Sequence, residues 1–140
     1  MPLEIRVEPT KRLRYAVARG RLTDRDLLEA WGDALADPSY DPALDSLVDM
    51  SEADSFEVTP EGAQRLADVM VMCAKEPPPG TRPRVALVAP TDVAFGMARM
   101  YQSIRASGGA PSEHRVFREM AEARAWLGLE PEGDREGPRS

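Results

Sequence analysis

Two stretches place polar side chains directly behind apolar runs, "LVDMSEADSFEVTP" and "ALVAPTDVAF". In the first, Asp49 and Ser51 follow Leu47 and Val48, with Thr59 just ahead of Pro60; in the second, Thr91 and Asp92 follow Leu87, Val88 and Ala89. Open α/β sheets bind ligands at the carboxyl ends of their parallel strands, so a carboxylate or hydroxyl there is a candidate contact. The same residue types have a plainer use: Asp49 can accept from loop N–H groups, and Thr59, Thr91 or Asp92 can cap a helix. Asp49, Ser51, Thr59, Thr91 and Asp92 are accordingly the candidate ligand-binding or switch residues.

Catalytic chemistry has few parts here. His114 is the only histidine and Cys73 the only cysteine, so a zinc set, a Cys-His dyad and an intrachain disulfide all lack partners. Gly96 stands without the glycine spacing of a dinucleotide turn or the lysine of a phosphate loop. None of the 24 acidic residues is singled out as half of a glycosidase pair. No catalytic residue, metal ligand or cofactor is assigned, and the expectation is a protein that is not an enzyme.

A third group points to association. On a helical wheel Phe95 falls with Arg99 and Gln102, opposite a stripe of Val93, Met97 and Ile104. An exposed aromatic beside arginine is a plausible anchor for a protein interface, which makes Phe95, Arg99 and Gln102 the interface candidates and a homodimer the expected assembly. Gly96 in the same helix costs about 1 kcal/mol against alanine, which points to a close approach by the sheet or a second chain. Val71 and Met72 lie off the main stripe of "LADVMVMC", and a methionine-lined surface between helices suits an apolar or lipid-like ligand.

The elements that position these residues follow from periodicity. "LEIRVE" and "RLRYAVARG" alternate apolar and charged residues around "PTK", predicting an antiparallel hairpin. Thr23 precedes an amphipathic helix that ends near Pro38, "LDSLVDM" reads as a short buried strand, and "SEADSFEV" reads as a polar loop. Thr59, Pro60 and Glu61 open a second helix with Ala63, Leu66, Met70 and Cys73 inward; "PPPGTRP" ends it. "RVALVA" is the most apolar strand, followed by the Phe95 helix, the strand "HRVF" and the helix "EMAEARAWLG". The order predicts an α/β fold, a mostly parallel mixed sheet of about five strands with an N-terminal antiparallel hairpin and four helices. Residues 1–128 form the expected domain and 129–140 a disordered tail.

At 140 residues the chain suits one domain that buries roughly two thirds of its unfolded surface. A net charge of -6 and a pI near 4.9 argue against a nucleic-acid partner, and Arg12, Arg14, Arg19 and Arg21 read as the solvated face of a strand. No leader and no apolar run near the roughly 20 residues of a membrane span are apparent. A soluble, cytoplasmic protein is expected.

The segments "LVDMSEADSF", "RVALVAPTDVAFGMARMYQ" and "RVFREMAEARAWL", in this order of elements, resemble the bacterial SpoIIAA-like family. That family shares its fold superfamily with STAS domains and with lipid-binding modules of the Sec14 type, and the resemblance covers most of residues 3 to 128. It implies a non-catalytic regulatory or protein-interaction module, or alternatively a small carrier or sensor of an apolar ligand. In anti-sigma antagonists of the superfamily a D-S-S-G segment carries a phosphorylated serine. The matching stretch here is Glu57, Val58, Thr59 and Pro60, so only the Thr59 hydroxyl is left of it, with Ser51 nearby as a second acceptor.

Overall fold

A computed structural model describes residues 2–130, so the expected tail lies, from residue 131 on, outside the described residues. β1 (Leu3–Glu8) and β2 (Leu13–Thr23) pair antiparallel, Leu3 opposite Ala18 and Glu8 opposite Leu13. The chain reverses through a 3-10 turn over Pro9–Lys11 that ends at Arg12 in the left-handed region, φ 50°. β3 (Asp45–Glu57), β4 (Arg84–Val88) and β5 (Glu113–Phe117) add in parallel, giving one five-stranded sheet in the order β1-β2-β3-β4-β5. The connections carry helices α1 (Asp24–Ala36), α2 (Pro60–Cys73) and α3 (Asp92–Ser107), and α4 (Met120–Trp126) follows β5.

Each of the three long helices starts on a threonine. Thr23, Thr59 and Thr91 accept from the backbone N–H of Asp26, Gly62 and Ala94 at 3.3, 3.1 and 3.2 Å. A cap of this kind is worth about 1 kcal/mol because it satisfies a donor that the helix leaves orphaned. Asp26 returns the bond to the Thr23 N–H at 3.0 Å, which completes a capping box on α1.

The sheet is covered on both faces, and strand alternation divides the core in two. Ala16, Ala18, Met50, Leu87 and Ala89 face α1, α2 and α3, which pack side by side. Leu13, Tyr15, Val17, Leu47, Ala86 and Val88 face α4 through Ala123 and Leu127. Burial of a leucine as complete as that of Leu47 contributes about 2 kcal/mol. Arg84 ties the second layer to the sheet: its guanidinium donates to the Trp126 carbonyl at 2.5 Å and to Asp45 at 3.3 Å.

Several expectations are corrected. The segment 51–57, expected as a loop, continues β3 beside the second half of β2, held by Arg19 to Glu52 and Arg21 to Glu57, both at 3.0 Å. Arg14 is not on a solvated face but 5% exposed, because β2 is covered on both sides. Cys73 is exposed near the end of α2, past the part of the helix that covers the sheet. On α3 the inward stripe is Ala94, Ala98 and Arg105, which leaves Val93 64% exposed and Phe95 half-buried. Nothing approaches a Cβ placed at Gly96, so close packing does not explain that glycine. The tight position is Gly62 instead, where an added Cβ would lie 2.0 Å from the Asp24 carboxylate.

Candidate functional site

Between the sheet and helices α1 to α3 lies a cavity of about 150 Å³. Most of its wall is apolar: Ala18, Leu22, Val48, Met50 and Leu87 from the strands, Trp31 from α1, Leu66 and Met70 from α2, Met97 and Ala98 from α3. Small residues create the space. Ala18, Ala63 and Ala98 stand where larger side chains would close the gap between the layers, and each is almost fully buried.

The polar part of the wall lies at the amino ends of the parallel strands. Arg14, Ser46, Val85 and His114 form one row across β2, β3, β4 and β5. Tyr101 and Arg105 come down from α3, and Tyr40 and Ser112 come from the connections into β3 and β5. The Arg14 guanidinium donates to Ser46 Oγ at 3.1 Å and to the Asp41 carbonyl, and stacks over the Tyr40 ring at 4.1 Å. Burial holds its pKa below the ordinary arginine value, against the opposing pull of Tyr40 and Asp41. Arg105 is 9% exposed, and its Nε has no hydrogen-bond partner among the described residues. No carboxylate of the described residues forms an ion pair with either guanidinium.

The neighbouring rings respond to this setting. His114 packs edge-on against Tyr101 at 5.7 Å between centroids. Burial, reinforced by the charge of Arg105, pushes the His114 pKa down to about 4, so the ring is neutral at pH 7. Burial pushes Tyr101 up to about 12, and its hydroxyl remains a donor. The cavity therefore presents two buried cations, a neutral imidazole and phenolic and serine hydroxyls at one end of an apolar space. Among the described residues no three His, Cys, Asp or Glu side chains gather as a metal ion would require.

Comparison with known proteins bears on the fold. No family model matches the chain, and no curated protein matches it. A crystal structure of an uncharacterised DUF3478-family protein from Shewanella loihica PV-4, which has a SpoIIAA-like fold, superposes with a TM-score of 0.53 over 89% of this chain and 93% of that one, at 22% identity. The chain has a SpoIIAA-like fold.

In this SpoIIAA-like domain none of the residues proposed from sequence lines the cavity: Asp49, Ser51, Thr59, Thr91 and Asp92 lie toward the carboxyl ends of the strands, and Phe95, Arg99 and Gln102 follow along α3. Asp49 points to the α4 face, as Leu47 does, and accepts from Ser51 N and Oγ at 2.9 and 2.6 Å. Thr59 caps α2 and gives its own N–H and hydroxyl to Asp24 at 2.8 and 2.5 Å. Thr91 caps α3, while Asp92 pairs with Arg118 at 2.9 Å. Phe95 lies under the Arg118 guanidinium at 4.2 Å with Arg99 at 5.9 Å, and Gln102 donates inward to the His114 carbonyl at 2.8 Å.

The residues that sequence reasoning missed are Arg14 and Arg105. Both had a readable signal. Ala16 and Ala18 share the face of Arg14, which marks that face as covered; Ala94, Ala98 and Tyr101 lead along one helical stripe to Arg105.

Proposed function

We propose that this protein is a non-catalytic binding module that holds a small apolar or lipid-like molecule between its sheet and helices α1 to α3. The observation that carries this reading is the cavity of about 150 Å³, walled mainly by buried apolar side chains from three helices and four strands. An apolar cavity of about that volume admits a benzene-sized body, and ligand sites are concave and apolar with a few placed polar groups. Filling the space tests it. Ala98→Leu adds three carbons inside the cavity while keeping the helix propensity of α3. Native mass spectrometry of the parent protein purified under mild conditions should show a co-purifying apolar species, and Ala98→Leu should lack it. A clean apo mass for the parent, together with no binding of any apolar probe by calorimetry, overturns the reading.

A second reading, a regulatory interaction module working as a homodimer, draws support from Val71, Met72 and Val93, which are 68, 82 and 64% exposed. Its interface on α3 would use Val93 and the outer edge of the half-buried Phe95 ring.

A further inference from the structure

The polar end of the cavity specifies more than an apolar guest. Arg105 is nine-tenths buried and lines the cavity with an Nε that no described residue satisfies. Its guanidinium forms no ion pair among the described residues, and a cation this far buried is costly without a compensating charge. Arg14, in the same wall, spends two donors on Ser46 and on the Asp41 carbonyl and meets no carboxylate oxygen within ion-pair distance among the described residues. The Tyr40 ring stacked on Arg14 and the Tyr101 ring beside Arg105 frame the space between the two cations. His114, next to Arg105, is neutral at pH 7 and adds no charge to the two buried cations; the exposed Lys75 is the further cation of the wall.

We infer that this cavity binds an amphipathic anion, with its oxyanion head, a carboxylate or a phosphate monoester, held by Arg105 and Arg14 and its apolar tail lying along the sheet beneath α1 to α3. The inference rests on the binding-module reading and adds the charge of the guest. Charge complementarity decides it: an apolar alcohol would leave the Arg105 guanidinium without a counter-charge, whereas an oxyanion gives that guanidinium an acceptor and a charge. Arginine suits this task because its planar fork meets the oxygens of carboxylate or phosphate in pairs.

The test is isothermal titration calorimetry of the full chain with four probes of equal tail length, octanoate, octyl phosphate, octanol and octylamine, and with inorganic phosphate alone. The parent protein should bind octanoate or octyl phosphate at least about tenfold more tightly than octanol, the size of one charge-assisted hydrogen bond, and should not bind octylamine. Preference between the first two probes distinguishes a carboxylate from a phosphate head, and weak binding of inorganic phosphate shows that the tail is needed. In Arg105→Met the advantage of the anion over the alcohol should disappear while octanol binding persists; Arg105→Lys should retain part of it. Equal affinity for octanol and octanoate in the parent protein overturns the inference and leaves the apolar binding module standing. If benzene, the size the cavity admits, binds and no eight-carbon probe does, the inference falls and the apolar binding module stands; failure of benzene and of every eight-carbon probe overturns both. Because the decisive comparison uses the unaltered protein, a folding defect in either variant, visible by circular dichroism, does not remove the test.

Discussion

Acidification from pH 7 toward pH 4 should unfold this domain earlier than its surface carboxylates require, and His114 is the cause. Its ring lies among Tyr101, Arg105 and the sheet, and a proton there must be accommodated with little water and beside an existing cation. The folded pKa is about 4 and the ordinary value is 6.5, so the unfolded chain binds the proton first. The stabilisation from keeping the ring neutral is fully present above pH 6.5 and is lost as the pH falls through the window down to about 4. A gap of about 2.5 pH units at about 1.4 kcal/mol each gives about 3 kcal/mol, an upper figure because the ring keeps some contact with solvent. That is a large share of the roughly 5 to 15 kcal/mol that holds a domain of this size together. Urea denaturation at half-unit steps from pH 7.5 to 4.5, read by circular dichroism with the m value checked for constancy, measures the slope. His114→Gln should flatten the profile between pH 6.5 and 4.5, whatever it does to stability at pH 7. Asp37 and Glu57, whose carboxyls are held below their ordinary values by Ser39 and by Arg21 respectively, are common to both proteins and cancel in the comparison. Parallel profiles for the parent and His114→Gln would refute the assignment.

Two further substitutions probe other joints. Gly62→Ala should destabilise by about 1 to 2 kcal/mol in thermal or urea melts although alanine is the better helix former, because its Cβ displaces the Asp24 carboxylate from the N–H and hydroxyl of Thr59; a gain in stability would show that Asp24 moves aside freely. Phe95→Asp removes the stacking of Arg118 and charges the outer face of α3; on the homodimer reading, size-exclusion chromatography with light scattering should give a dimer mass for the parent and a monomer mass for this variant, and an equal mass for the two removes α3 as an interface.

Much of the architecture was legible because the local signals agreed. Threonine before each long helix, alternation in β1 and β2 and the apolar run of β4 all announce the elements the structure contains. The second half of β3 was not legible, since 51–57 carries no buried apolar alternation; its pairing is held instead by arginines from β2, a contact between positions more than 30 residues apart. The wheel on α3 failed for a similar reason. It placed Met97 inward correctly but added Val93 by size, whereas the sheet selected the small Ala94 and Ala98 and so left the room that the cavity occupies. Arg14 was hidden by its type: arginine on a strand reads as solvated unless both faces are known to be covered.

The prolonged β3 also bears on how the chain avoids its neighbours. β4 pairs with β3 only as far as Asp49, so among the described residues the backbone of 51–57 has β2 on one side and no paired strand on the other. Such a margin invites a foreign strand to add by backbone bonding. Here it carries Glu52, Asp54 and Glu57, and breaks in register after Val17 and Gly20 of the adjoining strand bend it. A second molecule approaching in the same orientation meets like charge on a twisted ribbon, which discourages aggregation through this border.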